Sequence, residues 1–205
     1  MAAENMPIIL LAAGASRRMR GADKLLEKVG GIPLLRLQAE KARAVTTGPV
    51  LVALPSAPHP RHAALAGMDC TAVEVPDAAE GMNASLRRAF AALPLGTGCA
   101  MLLLVDLPDL TARDLQRVAG AVDLQDGTLI WRGATATGEP GHPIIFHADL
   151  FDGFATLTGD SGGREIVARA GGRIALVPLE GRRARRDLDT PEAWAEWRRE
   201  KGVPG

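Results

Sequence analysis

The stretch Leu10-Leu11-Ala12-Ala13-Gly14-Ala15-Ser16-Arg17-Arg18-Met19-Arg20-Gly21-Ala22-Asp23-Lys24-Leu25-Leu26 constrains the fold most. It begins inside an apolar run, Pro7 to Ala12, that reads as a buried strand. The strand breaks into small residues, Ala12 to Ser16, where backbone N–H groups can come close to a ligand. Cations follow at Arg17, Arg18 and Lys24. A nest of amides beside guanidinium and ammonium groups suits a triphosphate better than a neutral ligand. The same residues also suit an ordinary strand-to-helix turn with solvated arginines.

Further along, apolar runs alternate with longer amphipathic segments, the pattern of βαβ units. Strands are expected at Pro7–Ala12, Val50–Leu54, Thr71–Val75, Ala100–Val105, Thr128–Trp131, His142–Phe146 and Arg173–Val177. Helices are expected at Leu34–Val45, Arg61–Ala66, Asn83–Leu93, Ala112–Ala121, Gly162–Ala170 and Glu192–Lys201. Met101-Leu102-Leu103-Leu104-Val105 is apolar at every position, which implies a sheet covered on both faces. Thr111 with Asp114, and Thr190 before Pro191, read as helix starts. Pro55 to Pro60 reads as a surface turn, and Gly133 to Gly141 as a polar loop rising beyond the sheet edge. Residues 1–205 are read as one α/β domain with a mostly parallel sheet.

Asp106 follows the most apolar strand directly. Ligands of open α/β sheets bind outside such strand ends, and a carboxylate there near a phosphate loop is a natural Mg²⁺ ligand. It also reads as a turn cap. Asp189, in Asp187-Leu188-Asp189-Thr190-Pro191, offers a second carboxylate to the same metal or an N-cap neighbourhood. Gly81 and Ser85, in Glu80-Gly81-Met82-Asn83-Ala84-Ser85, suit either the edge of a nucleobase or a helix start. Gly138-Glu139-Pro140-Gly141-His142-Pro143 presents a lone histidine, without the nucleophile-elbow context of a triad hydrolase. Gly159-Asp160-Ser161-Gly162-Gly163 enters a helix and offers either an anion site or a cap. Asp109 reads as a turn residue, and Arg182-Arg183-Ala184-Arg185-Arg186 as a solvated face or a surface that attracts a phosphorylated substrate.

Composition removes several functions. Lys+Arg and Asp+Glu both number 24, so any basic site is local and bulk charge makes no case for nucleic acid. Aromatics are 3% with no Tyr, which disfavours a base-stacking platform. Cys70 and Cys99 lack metal-site spacing and suggest neither zinc nor a disulfide scaffold. Met1 to Met6 lack the basic and apolar regions of a signal peptide, and no apolar run reaches the ~18 residues of a membrane span. The expectation is a cytoplasmic protein with no membrane partner.

Taken together and in order, these motifs resemble the MobA-like nucleotidyltransferases, and within them the MocA-type molybdenum cofactor cytidylyltransferases. The resemblance is carried by Ala12-Ala13-Gly14-Ala15-Ser16, Arg18-Met19, Lys24-Leu25-Leu26, Glu80-Gly81-Met82, Ser85-Leu86, Asp106-Leu107-Pro108, Gly141-His142-Pro143, Gly159-Asp160, Gly162 and Asp187-Leu188-Asp189-Thr190-Pro191. It runs from about Ile8 to Trp197. It implies a Rossmann-like three-layer α/β/α domain that moves CMP from CTP to the phosphate of molybdenum-loaded molybdopterin. It further implies that Ala12 to Ser16 wrap the nucleotide, with Ala13 favouring CTP, and that Gly81 and Ser85 lie near base and ribose. Arg18, Lys24 and Asp106 would be catalytic, Asp106 and Asp189 would hold Mg²⁺, and His142 and Asp160 would line the pterin side. A client molybdoenzyme or insertion chaperone is an implied partner. Other readings are a GTP- or sugar/alditol-phosphate-using relative, or a cofactor-binding chaperone without turnover. Two departures stand out. The family's usual Met-Gly-x-x-Lys spacing is one residue longer here, Met19 to Lys24, and Leu107 stands where the MocA branch often has Gln.

Overall fold

The computed structural model describes residues 4–203, so the start of the N-terminal segment read above lies outside the described residues. The large sheet has seven strands: β1 (Ile8–Leu11), β4 (Val50–Leu54), β5 (Thr71–Glu74), β6 (Cys99–Leu104), β7 (Ile130–Ala134), β8 (Pro140–His147) and β9 (Ile174–Pro178). Their spatial order is β5-β4-β1-β6-β8-β7-β9. All pairings are parallel except those of β8, which runs against β6 and β7. A small hairpin, β2 (Lys28–Val29) with β3 (Ile32–Pro33), was not expected. Its strands of two residues carry no periodicity to read.

Among the described residues seven α-helices complete the fold: α1 (Leu34–Arg43), α2 (Pro60–Ala64), α3 (Met82–Ala91), α4 (Ala112–Ala119), α5 (Phe151–Phe154), α6 (Arg164–Arg169) and α7 (Pro191–Lys201). Strand side chains alternate between two cores, one on each face, as the unbroken apolar runs require. One core joins Ile8, Leu10, Met101 and Leu103 to α1, α4 and α7. The other joins Ile9, Leu51, Leu102 and Ile144 to α3, α5 and α6. All four phenylalanines gather in the second: Phe90 stacks on Phe154 at 3.5 Å between centroids, with Phe146 and Phe151 edge-on.

Several boundaries are corrected. Gly133 to Gly141 is not a free loop: its ends continue β7 and β8, and the turn is Thr135 to Glu139. Here the β-strand is read poorly from sequence because Gly133 has no side chain to pattern. Its absence is needed, since a Cβ there would collide with the backbone of His142. The helix expected from Gly162 starts at Arg164, because Gly162 and Gly163 take φ of 66° and 75°. The caps are as expected at Thr111, which forms a capping box with Asp114, and at Thr190.

The arginine run leaves Arg182 and Arg185 exposed, as a solvated face requires, but it is more than that. It is a turn around fully buried Ala184, and its cations reach in three directions: Arg183 to Glu180 and Asp114, Arg185 to Glu139, Arg186 to Glu200. The chain then crosses the sheet's upper end, where His142 N donates to Ala184 O and Leu188 N to Asp106 O. This crossing brings Asp189 beside Asp106. Asp109 is likewise more than a turn residue. It is nearly buried, accepts from Trp197 Nε1 at 3.0 Å, and pairs with Lys201 at 2.8 Å.

Candidate active site

Strand order reverses at β1: the chain moves outward to β4 and β5, then returns to place β6 on the other side. Loops after β1 and β6 therefore part, leaving a crevice at their carboxyl ends. A cleft of about 650 Å³ lies there. Ala13, Gly14, Ala15, Ser16, Arg18, Lys24, Gly81, Ser85, Asp106, Asp160 and Asp189 all line it. Residues from five separate motifs are thus brought to one space.

Two expected residues do not line it. Ala12 is buried beneath the loop, its N–H bonded to Ala53 O. His142 lies on β8 with Nδ1 enclosed and unpartnered. Burial, and then the charge of Arg132, push its imidazole down to about 4.

The loop after β1 keeps its amides unspent. No backbone N–H from Gly14 to Arg17 donates to a protein acceptor among the described residues. A Cβ at Gly14 would stand in open space. Ser16 sits at φ 48°, ψ 35°, a left-handed conformation costing on the order of 1 kcal/mol for a residue with a side chain. Successive unpaired amides in such a turn form an anion-binding concavity.

At the loop's end Lys24 Nζ lies 2.5 Å from Asp106 Oδ2 and 2.6 Å from Asp189 Oδ1. Arg18 Nη2 reaches the other oxygen of Asp189 at 2.5 Å. Burial pulls the Lys24 ammonium down, but Asp106 and Asp189 together raise it above its ordinary value, so it stays charged. Burial pushes Asp189 up, and Lys24 and Arg18 more than offset this. Asp187, beside them, is raised by burial and by the neighbouring carboxylates. Asp106 Oδ1 is buried with no partner. No cluster of three or more metal-capable side chains occurs among the described residues, so a cation here must take its remaining ligands from elsewhere.

The opposite rim is built by α3. Gly81 at φ 120° lets Met82 N donate to Asp160 Oδ1 at 2.6 Å, so the start of α3 is capped from another loop. Asn83 joins the same loop through Thr158 O and Ser161 Oγ.

Sequence reading missed two residues. Arg61, on α2, is 2% exposed. Its Nε and Nη2 donate to the two oxygens of Asp23 at 2.8 and 2.7 Å, Nη1 donates to Ala12 O at 2.6 Å, and Nη2 also to Ser16 Oγ at 3.1 Å. An arginine after His59-Pro60 looks like any helix-start cation. The only sequence signal was the added residue before Lys24, which falls in the segment that includes Asp23.

Residues 8–174 match the MobA-like NTP transferase domain. Among curated proteins, the bifunctional protein GlmU of Leifsonia xyli subsp. xyli is 34% identical over 125 residues, 59% of this chain. The match spans 26% of that protein's own length. Among solved structures, Rv0371c of Mycobacterium tuberculosis superposes with a TM-score of 0.80 at 27% identity, covering 95% of this chain and 98% of that one. A complex of Rv0371c with manganese superposes with a TM-score of 0.75 at 24% identity, covering 94% and 97%. No helix among the described residues is long and apolar enough to cross a membrane. With the domain match covering most of its length, this chain belongs to the MobA-like NTP transferase domain family.

Proposed function

We propose that the protein is a nucleotidyltransferase that moves CMP from CTP to the phosphate of molybdenum-loaded molybdopterin. The observation that carries this is the convergence of Lys24, Arg18, Asp106 and Asp189 beside the unpaired amides of Gly14 to Arg17. That set matches a triphosphate: amides and cations for its oxygens, and carboxylates for its metal. The choice of CTP rests on the resemblance carried by Ala13. The acceptor rests on the resemblance of the whole motif series to the MocA branch, with Asp160 on the cleft rim.

Two carboxylates plus phosphate oxygens suit Mg²⁺, and the unpartnered Oδ1 of Asp106 leaves a ligand free for it. The manganese complex of Rv0371c, a protein of the same fold, supports use of a divalent ion. Bound by Asp106 and Asp189, the ion would neutralise phosphate charge and align the reacting groups. An acceptor phosphate oxygen forms a bond to the α-phosphorus of CTP. The bond from that phosphorus to the bridging oxygen breaks, and the electron pair leaves with pyrophosphate. Lys24, Arg18 and the loop amides stabilise the charge on the departing group. The acceptor phosphate is ionised near neutral pH and needs no general base.

The test is magnesium-dependent pyrophosphate release with each of the four NTPs, with and without molybdenum-loaded molybdopterin. CTP with the acceptor is expected to react fastest. Lys24→Ala or Asp106→Ala is expected to slow release by about 100-fold or more. GTP winning the competition would remove the Ala13 argument. Turnover with a sugar or alditol phosphate alone would replace the acceptor. Binding of CTP without pyrophosphate release would mark a cofactor-holding chaperone instead.

A further inference from the structure

Arg61 is a charged side chain in the core with no part in the transfer chemistry. Burying a guanidinium is costly unless its donors are met, and here every direction of the fork is used. The partners are informative. Ala12 O and Asp23 are the two ends of the phosphate loop, and Ser16 Oγ belongs to one of its two left-handed non-glycine residues. One side chain therefore closes the loop on itself from beneath.

Asp23 extends the closure. It accepts from Ser16 Oγ at 3.3 Å and from Leu25 N at 3.0 Å, which fixes the turn carrying Lys24. The chain between Met19 and Lys24 turns sharply before it reaches Asp23. Arg20 and Gly21 take φ of 53° and 99°, a tight left-handed bend that returns the chain so that Asp23 meets Arg61. Arg61 itself is anchored from outside the loop. Arg36 Nη1 donates to Ala64 O and Ala66 O at the end of α2, and His62 Nε2 lies 2.8 Å from Pro55 O.

We propose that Arg61 and Asp23 form a clasp that holds residues 12–24 with their amides unspent and Lys24 in place, making both of them positioning residues for the triphosphate. This rests on the nucleotide reading above. A phosphate site of main-chain amides has no side chain to adjust, so its affinity depends on the loop being held before the ligand arrives. Ordinary loop packing would hold such a turn less strictly, because the small residues from Ala12 to Ala15 offer little to pack.

The experiment uses the full chain as wild type, as Arg61→Lys, and as the double variant Arg61→Met with Asp23→Asn. The lysine keeps the charge but loses the two-pronged grip on Asp23. The double variant removes both charges, so neither is left buried alone. Two quantities are read: the rate of tryptic cleavage after Arg17, Arg18 or Arg20 without ligand, and the dissociation constant for magnesium CTP, GTP, ATP and UTP by calorimetry. Both variants are expected to be cut at least about tenfold faster at these arginines and to bind the preferred nucleotide about tenfold or more weakly, at a folded content equal to wild type. Unchanged cleavage overturns the clasp. Faster cleavage with unchanged affinity overturns its positioning role. If cleavage accelerates while wild type binds none of the four nucleotides, the clasp stands and the nucleotide reading falls. Loss of activity in proportion to lost folded protein, with the nucleotide KM unmoved, marks Arg61 as merely structural and overturns the proposal.

Discussion

Gly81 shows how much a single residue decides at this site. It holds φ at 120°, where a side chain is strained, and a Cβ would stand 2.8 Å from Asp160 Cβ and 2.9 Å from Gly159 O. Gly81→Ala must therefore push Asp160 away and weaken the bond from Met82 N that caps α3. Strain and lost cap together are expected to cost about 2–3 kcal/mol. A thermal melt measures that cost, and the nucleotide KM should rise alongside it because Gly81 and Asp160 both line the cleft. The sequence placed a glycine here beside a possible helix start. What it could not show is that the cap comes from residue 160, since a side chain reaching from another loop leaves no local pattern.

At the scale of an element, α7 decides where Asp189 lies. Its N-cap Thr190 follows Asp189 immediately, and its body docks through nearly buried Trp194 and Trp197. Asp109 is the polar fastening, holding Trp197 Nε1 and Lys201 near the helix C-terminus. Burial pushes the Asp109 carboxyl up, and Lys201 and Trp197 pull it below its ordinary value. Asp109→Ala is expected to destabilise the protein by about 1–3 kcal/mol in urea denaturation. Because α7 then docks less firmly, Asp189 shifts, and more magnesium should be needed for half-maximal pyrophosphate release. The helix itself was legible: Thr190-Pro191 marks its start, and small and aromatic residues mark its inner face. Its fastening was not, because an aspartate in Pro108-Asp109-Leu110 reads as a turn residue whether or not a distant tryptophan meets it.

For the whole molecule, equal numbers of acidic and basic residues leave no formal net charge at pH 7, and individual groups make its stability depend on pH. His142 is the clearest. Its folded value of about 4 lies below the ordinary 6.5. Between those values the unfolded chain binds a proton that the folded one refuses, so stability falls as pH drops from 6.5 toward 4. The full loss is on the order of 3 kcal/mol. Chemical denaturation at pH 7 and 4.5 should show that decline in wild type and a flatter profile in His142→Gln. A remainder is expected from His59, which burial also holds low, and from Glu165, Glu192 and Glu200, whose hydrogen bonds hold them below the ordinary carboxylate range.

By itself the sequence determined the layered α/β fold and the strand that ends in small residues, which are legible because burial writes a period into apolar residues and because close backbone approach demands small ones. Most of the polar residues that meet at the cleft were drawn together only by the resemblance of the whole motif series. Tertiary structure alone decided which polar groups face each other. It buried Arg61 under the loop, turned Asp23 toward it, carried the arginine turn across the sheet to bring Asp189 to Asp106, and left His142 outside the cleft. Those pairings join residues far apart in the chain through one or two hydrogen bonds each. A hydrogen bond asks only for a donor and an acceptor at one distance, and so leaves no repeating mark on the sequence around it.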